Sequence, residues 1–280
     1  MAENPVERYY DTIAEKEWQR NDRHRTEFAV TRRVLIDHLP AGQLKIADIG
    51  GGPGRYAIFL AGLGHQVTLV DLSSTELEIA RARAQEAGVT LSQTIQANAL
   101  DLSSLPANEF DAVLLMGPLY HLQEEKDRRK AVEQAMRILK PGCLLFAAYI
   151  TRFAPFRDYS ANLPEDVIAE KEGWLQMLED GRNFGEGFPG AFFEHPTRIL
   201  PFMEICGLQT LQMVGVEGVA AGHEDKINAL QGEMFEFWAD LNYRLGCDPM
   251  LWGSANHLLD RKSTRLNSSH LKLSRMPSSA

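Results

Sequence analysis

The sequence has few cysteines, no long apolar run and no surplus of positive charge. Its three cysteines are odd in number and lack metal-site spacing, which predicts a reducing compartment and inert buried thiols. No apolar run reaches the roughly 18 residues of a membrane-spanning helix, and the first residues do not resemble a signal peptide. The formal net charge of −9 argues against a nucleic-acid surface. We therefore expect a cytoplasmic protein that binds neither membranes nor nucleic acid, and the sequence leaves open whether it is a homodimer.

The composition is that of a large globular domain. Its 280 residues are 44% hydrophobic and 24% charged, which suits one domain with a sizeable core. Between residues 44 and 150, short apolar runs alternate with helical patterns. This alternation predicts an α/β fold with a doubly wound, mostly parallel sheet and helices on both faces.

A glycine-rich loop follows the first predicted strand. That strand covers residues 44–49, the loop has glycines at 50, 51, 52 and 54, and an apolar helix follows to residue 63. Glycine lets backbone N–H groups approach a ligand where any Cβ would clash. The helix N-terminus behind the loop adds partial positive charge. The sequence therefore predicts a ligand-binding turn here, although a glycine turn without a ligand is an alternative.

The glycine spacing distinguishes between nucleotide ligands. The dinucleotide pattern G-x-G-x-x-G fails, because Arg55 stands where the third glycine should be. The pattern acid-x-Gly-x-Gly-x-Gly, from Asp48 to Gly54, resembles motif I of class I S-adenosylmethionine (SAM) methyltransferases of the small-molecule type. The resemblance implies SAM as the cofactor, a Rossmann-like seven-stranded sheet in the order 3-2-1-4-5-7-6, and an antiparallel seventh strand.

A second acid follows the second predicted strand. Residues 66–70 form that strand, and Asp71 stands at its carboxyl end, where an acid can accept hydrogen bonds from both ribose hydroxyls of an adenosine. A plain helix-capping role is the alternative. NAD-binding proteins use such an acid too, so Asp71 does not choose between the two cofactors. Ser73 and Glu76 have the spacing of a capping box at the start of the next helix.

The third predicted strand, residues 90–96, leads to Asn98. At this place the methyltransferases that the sequence resembles usually carry Gly-Asp-Ala, whose acid accepts a hydrogen bond from the adenine amino group. Asn98 replaces the acid, and its amide oxygen is still able to accept that bond. A turn residue without a ligand contact is the alternative.

The fourth predicted strand, residues 110–116, is a continuous apolar run, as in a sheet that is buried on both faces. It leads to Gly117, which lacks the side chain that methyltransferases of exocyclic amines place here. Small-molecule methyltransferases often end this loop in an aromatic–His pair, which matches Tyr120 and His121. His121 has three possible roles: it takes a proton from the acceptor, orients the acceptor, or bonds to a backbone carbonyl.

The resemblance also implies a domain organisation. Residues 1–43 form an N-terminal helical lid, in which Tyr10 lies near the methionine carboxylate, with simple core packing as the alternative. Residues 44–262 form the SAM-binding domain. It contains an aromatic-rich insertion at about 151–197 that caps the substrate pocket, with a separate surface subdomain as the alternative. Residues 263–280 resemble translated sequencing adapter, so we expect a disordered, non-native tail.

Two further elements are predicted near the end of the domain. A helix over residues 224–245 carries an apolar stripe that we expect in the core: Leu230, Met234, Trp238, Leu241 and Leu245. Residues 254–259 are predicted to be the seventh strand. This strand is expected to be short, because the tail that follows is predicted to be non-native.

The resemblance implies methyl transfer from SAM to a small-molecule acceptor. Tyr120 and His121 then face the acceptor as the catalytic candidates, and no metal is expected. Two alternatives remain open, a non-catalytic SAM-binding regulatory protein and an NAD(P)-dependent oxidoreductase. The expected cofactor-binding residues are Tyr10, Asp48, Gly50, Gly51, Gly52, Gly54, Asp71, Leu72, Asn98, Ala99, Met116 and Gly117.

Overall fold

A computed structural model describes residues 4–185 and 187–264, and one seven-stranded sheet organises them. The strand order is β3-β2-β1-β4-β5-β7-β6, which confirms the predicted topology. Neighbours among β1 to β5 run parallel, whereas β7 runs antiparallel to both β5 and β6. The strands are β1 (Lys45–Ile49), β2 (Gln66–Asp71), β3 (Gln93–Gln96), β4 (Phe110–Leu115), β5 (Leu139–Ile150), β6 (Leu208–Gly215) and β7 (His257–Thr264).

Helices connect the strands and cover both faces of the sheet. None of those in the described ranges has the length and hydropathy that a membrane crossing requires. The helices are α1 (Pro5–Trp18), α2 (Arg20–Arg23), α3 (Arg25–His38), α4 (Arg55–Gly62), α5 (Ser74–Glu86), α6 (Glu125–Ile138), α7 (Ala154–Asn162), α8 (Lys171–Asp180), α9 (Pro196–Ile205), α10 (Glu224–Asn228) and α11 (Gly232–Gly246).

Two hydrophobic cores form because successive side chains of a strand point to opposite faces of the sheet. Along β4, Val113 and Leu115 enter the core that is covered by α6 and α9. Ala112 and Leu114 enter the other core, which α3, α4 and α5 cover. All four residues are fully buried. The strand is therefore buried on both faces of the sheet, as its continuous apolar pattern predicted.

The first helix, α1, lies across the carboxyl ends of the strands and is held there by α5. The Ser73 hydroxyl donates a hydrogen bond of 2.5 Å to the Asp11 carboxylate, and Arg83 pairs with Glu15 at 2.8 Å. The ring of Trp18 lies 5.1 Å from the Arg83 guanidinium carbon, within range of a cation–π contact. These contacts make α1 a roof over the strand ends.

The seventh strand extends further than predicted. It was expected at 254–259, but β7 continues to Thr264, and Ser263 pairs with both Leu144 and Gln209. The predicted tail therefore loses its first two residues to the sheet, while residues 265–280 lie outside the described residues. The strand was misjudged because Asp260 and Lys262 are charged yet fully buried, as an ion pair whose charged atoms are 2.5 Å apart.

The predicted helix over 224–245 is two helices, α10 and α11. The expected core stripe on it is wrong, since Met234 is 63% exposed and Trp238 is 38% exposed. The buried face is formed instead by Phe235, Ala239, Asn242 and Gly246. An ideal Cβ on Gly246 would lie only 2.1 Å from the carbonyl oxygen of Gly215, so the end of the helix approaches β6 too closely for a side chain at that position.

Candidate active site

The turn between β1 and α4 has a conformation that only glycine adopts readily. Gly50, Gly52 and Gly54 have φ angles of 67°, 54° and 80°, in the left-handed region. Gly51 is required for a different reason, because an ideal Cβ there would lie 2.6 Å from the Asp48 carboxylate. The loop therefore keeps a space open at the carboxyl end of β1.

That space belongs to a cavity of about 190 Å³ where β1, β2 and β4 end. Every predicted cofactor residue lines it except Gly54. Ideal Cβ positions place Gly54 3.2 Å from Leu69 and 3.1 Å from Ala80, so this glycine allows α4 to pack closely on its neighbours. The residues that do line the cavity are Tyr10, Asp48, Gly50, Gly51, Gly52, Asp71, Leu72, Asn98, Ala99, Met116 and Gly117.

Asp71 fastens the glycine loop to the start of α5. Its Oδ2 accepts a hydrogen bond of 2.8 Å from the Gly52 N–H, and its Oδ1 accepts one of 2.9 Å from the Ser73 N–H. Burial raises the pKa of the Asp71 carboxyl, while these two N–H groups oppose that shift. Each oxygen has a second lone pair, so the carboxylate is still able to accept bonds from a ligand.

Asp48 is a buried carboxyl group without a full set of partners. It is 1% exposed, and its Oδ2 has no hydrogen-bond partner among the described residues. Burial and the neighbouring Asp71 raise its pKa to about 7, against a hydrogen bond from the Ala57 N–H. A cation in the cavity would stabilise the ionised form of Asp48.

Asn98 and Gly117 line the cavity in different ways. The Asn98 Oδ1 accepts a hydrogen bond of 2.9 Å from the Leu100 N–H, which is the turn contact that the alternative interpretation expected. One lone pair of that oxygen remains for a ligand. Gly117 is required sterically, because an ideal Cβ would lie 2.5 Å from the carbonyl oxygen of Gly50.

Tyr10 and His121 meet at the edge of the cavity. The Tyr10 hydroxyl lies 2.6 Å from His121 Nε2, and the carbonyl oxygen of Pro189 lies 3.4 Å from Nδ1. We assign the ring proton to Nδ1, so that Nε2 accepts from the hydroxyl. Burial lowers the pKa of His121 to about 4, although the Pro189 carbonyl opposes the shift. The imidazole is therefore neutral at pH 7.

Comparison with known proteins identifies the family. Residues 47–147 match the family described as "Methyltransferase domain". The chain is 32% identical over 223 residues to the tRNA 5-carboxymethoxyuridine methyltransferase of Escherichia coli K12, covering 75% of this chain and 79% of that protein. It is 29% identical over 210 residues to the ubiquinone biosynthesis O-methyltransferase of Thiobacillus denitrificans, covering 74% and 84%. This chain belongs to the SAM-dependent methyltransferases.

A solved structure agrees on the fold. A SAM-dependent methyltransferase from Methanosarcina mazei aligns with a TM-score of 0.54 at 17% identity, covering 83% of this chain and 98% of that one. The enzyme uses SAM as its cofactor, and the cavity fits it. SAM carries a sulfonium and an ammonium group, and the walls offer the buried carboxyls of Asp48 and Asp71 with a glycine cradle between them.

The methyltransferase has a second end of the cavity that no sequence motif predicted. Arg20 donates a hydrogen bond of 2.9 Å to Glu27 Oε1 and lies 2.8 Å from Glu27 Oε2 in the same ion pair, and its guanidinium lies 3.2 Å from His257 Nε2. His257 Nδ1 is hydrogen-bonded to Glu217. No motif marks this group, because it joins α2 and α3 to β7 across more than 200 residues of sequence.

Electrostatics hold this network together. Burial alone would raise the pKa of Glu27, but Arg20 and His257 bring it down to about 2. Glu27, Glu217 and His257 have ligand atoms within 4.8 Å of one another, a spacing that also suits a metal ion. In the methyltransferase, the Arg20 guanidinium already places a positive charge beside Glu27, through one hydrogen bond and a close ion pair.

The aromatic insertion of the methyltransferase packs behind the cavity. Phe188 contacts the His121 ring at a centroid distance of 4.7 Å, and the Phe192 N–H donates to the carbonyl oxygen of Tyr120 at 2.9 Å. None of the described residues in 151–197 lines the cavity. The insertion therefore supports Tyr120 and His121 from the outside, whereas Tyr10, Glu17 and Arg20 of the N-terminal helices line the cavity directly.

Proposed function

We propose that this methyltransferase transfers the methyl group of SAM to a small-molecule acceptor. The observation that carries the proposal is the enclosed acceptor end of the cavity, which combines Tyr120 and His121 with the Arg20–Glu27 pair and the apolar side chains of Val216 and Leu259. Its groups come from four separate parts of the chain, and α1 covers it. A chamber of this kind suits a compact ligand with a polar nucleophile.

The cofactor-side residues receive roles that agree with their contacts. Asp71 accepts the ribose hydroxyls, and the loop over residues 50–52 admits the methionine part. Asn98 and Ala99 flank the adenine, while Met116 and Gly117 form the opposite wall. Their common placement around one cavity supports these roles.

The acceptor reacts by in-line displacement at the methyl carbon, and positioning supplies much of the catalysis. The leaving group is a neutral thioether, so no general acid is needed. The Tyr10 hydroxyl donates its hydrogen bond to His121 Nε2. The lone pairs of the Tyr10 oxygen therefore remain free to accept a hydrogen bond from a proton-bearing group of the acceptor. We assign Tyr10 and His121 an orienting role and place Tyr120 beside them as a wall.

The His121 assignment predicts a particular pH dependence. A base with the usual histidine pKa of about 6.5 would lose roughly tenfold in rate when the pH falls from 8 to 5.5. Since the pKa of His121 is lowered to about 4, its imidazole stays neutral throughout that range, and we expect no such loss. The measurement is the pH profile of methyl transfer for the wild type and the His121→Gln variant. A wild-type step near pH 6.5 that vanishes in the variant would contradict the assignment.

A tRNA acceptor is the main rival, since one relative is named as a tRNA methyltransferase. A groove between α3 and α11 does contain four arginines, which is the basic surface that RNA binding would use. Each one contacts the protein's own groups: Arg25 the carbonyls of Asn228 and Leu230, Arg32 the ring of Phe59, Arg33 the carboxylates of Asp37 and Asp240, and Arg55 that of Asp22. This occupancy favours the small-molecule acceptor.

Labelling a cell extract tests the proposed acceptor. We expect the enzyme, supplied with methyl-labelled SAM, to label a low-mass fraction that ribonuclease treatment does not change. The Asp71→Ala variant is the matched control and should leave that fraction unlabelled. Label that appears only in tRNA and disappears with ribonuclease would overturn the small-molecule proposal.

We propose a homodimer through α11. Its stripe of exposed Met234, Trp238 and Leu245 with half-buried Leu241 has the spacing i, i+4, i+7, i+11, which is the same from either end. Two antiparallel copies would bring Met234 opposite Leu245 and Trp238 opposite Leu241 in an isologous contact. A monomer mass in sedimentation at micromolar concentration would contradict this.

A further inference from the structure

Glu76 is a buried acid that neither helix capping nor the roles assigned above explain. It stands in the first turn of α5, is 2% exposed and lines the cofactor cavity. Its N–H donates to the Ser73 hydroxyl oxygen at 3.1 Å, which is one half of a capping box. The other half is missing, because the Ser73 N–H donates to Asp71 instead. The Glu76 carboxyl is therefore not used as a cap.

The carboxyl group lies against the glycine loop. Its Oε2 is 3.0 Å from the ideal Cβ position of Gly52, and its Oε1 has no hydrogen-bond partner among the described residues. Burying a carboxyl without a partner is unfavourable. Among the residues that the structure describes, no group satisfies Glu76 Oε1, so the geometry points to a ligand as the missing partner.

The ionisable groups that face Glu76 are acids and phenols. Asp71 comes from the end of β2, Asp11 and Glu17 come from α1, and the hydroxyls of Tyr10 and Tyr120 lie across the cavity. Burial, then Asp71 and the two acids of α1, raise the pKa of Glu76 to about 10. The carboxyl is thus protonated at neutral pH before a cation arrives.

The two cofactor forms differ in charge at this place. SAM has a sulfonium, an ammonium and a carboxylate, and is a net cation, whereas the product S-adenosylhomocysteine has lost the sulfonium charge and is net neutral. A nearby cation favours the ionised form of a buried carboxyl. We propose that Glu76 ionises when SAM fills the cavity and stays protonated with the product, so that it selects SAM over S-adenosylhomocysteine. This proposal rests on the cavity being the SAM site.

Calorimetric titration tests the coupling directly. The full chain is titrated with SAM and with S-adenosylhomocysteine at pH 7, in phosphate and in Tris, whose ionisation enthalpies differ. Asp48 also lines the cavity and loses a fraction of a proton in response to the ammonium that both cofactor forms carry, so we expect SAM to release about one proton more than the product does. Because SAM binding releases this extra proton, its affinity should rise from pH 6 to pH 7, where the ligand ammonium of either cofactor form is still protonated. The affinity for the product should rise less over the same interval.

Variants separate this role from a structural one. Glu76→Gln should lose the extra proton that SAM releases over the product and bind SAM about tenfold more weakly, while its affinity for S-adenosylhomocysteine changes less than about twofold. Retained binding of the product shows that the variant is folded, and Glu76→Met provides a second substitution of similar size. Glu78→Gln, an exposed acid on the same helix, is the control and should behave as the wild type.

The outcomes are distinguishable. If Glu76→Gln keeps the wild-type ratio of SAM to product affinity, or if both ligands release the same number of protons, the role of Glu76 is overturned. If the wild type binds neither cofactor form, the assignment of the cavity itself fails, which is a different result.

Discussion

Replacing Asp71 with alanine should weaken SAM binding by a factor of about 10²–10³. Hydrogen bonds to a charged group are worth about 1.5–3 kcal/mol each, and Asp71 is proposed to accept two from the ribose. A combined loss of about 3–4 kcal/mol corresponds to that factor. The variant also frees the Gly52 N–H, so the glycine loop loses its anchor at the same time. Isothermal titration with SAM measures the effect.

Asp101 offers a matched control for that experiment. Its Oδ1 accepts a hydrogen bond of 3.0 Å from the Ser103 N–H, which copies the local turn contact of Asp71, but the residue is exposed and does not line the cavity. Asp101→Ala should bind SAM as the wild type does. If folded Asp71→Ala bound SAM within about threefold of the wild type, the ribose role would be lost.

The second large effect concerns the stability of the fold. Replacing Glu27 with leucine leaves the Arg20 guanidinium with only the more distant Glu17, at 3.9 Å, as an acidic partner, and breaking a buried ion pair costs about 3–5 kcal/mol. A quarter of the Arg20 side chain remains exposed, so we expect the lower end, about 3 kcal/mol of the free energy of unfolding. Urea denaturation of the single variant measures it. The double variant Arg20→Leu, Glu27→Leu should recover most of the loss, because neither charge is then stranded.

The stability effect of Glu27 has a predictable pH dependence. Its pKa is about 2 in the folded protein and 4.5 as the reference value, so the ionised form is favoured by folding. This contribution is fully present above pH 4.5 and is lost as the pH falls from 4.5 towards 2. The difference in unfolding free energy between the wild type and Glu27→Leu should shrink over that interval. A difference that stays constant to pH 2.5 would contradict the ion-pair explanation.

The sequence predicted the features of the site that depend on neighbours in the chain. The roles of the glycines at 50, 52 and 54 are predictable from the sequence, because positive φ angles at a strand-to-helix turn favour that residue type. The position of Asp71 is predictable because β2 ends there, and the neighbouring parallel strands β1 and β3 end at the same edge of the sheet. The placement of Gly50, Gly52 and Asp71 in one cavity follows from the sheet order, which the family resemblance implied.

Other parts of the site depend on contacts that no local pattern encodes. Arg20 and His257 meet across 237 residues, and neither belongs to a motif. His121 was found from the sequence, but its bond to Tyr10 depends on how α1 crosses the sheet. The continuation of the seventh strand past residue 259 was not predicted, because charged residues such as Asp260 and Lys262 are rarely buried unless they are paired with each other.

The roof over the cavity has a consequence for how ligands exchange. Tyr10 and Glu17 of this helix line the cavity, so a shift of α1 away from α5 would widen the passage for SAM and its product. The pair of Arg83 and Glu15 between the two helices is partly exposed, and such pairs contribute about 0–1 kcal/mol each. Dissolved salt, which screens exposed charges, should weaken this pair and speed the departure of the spent cofactor.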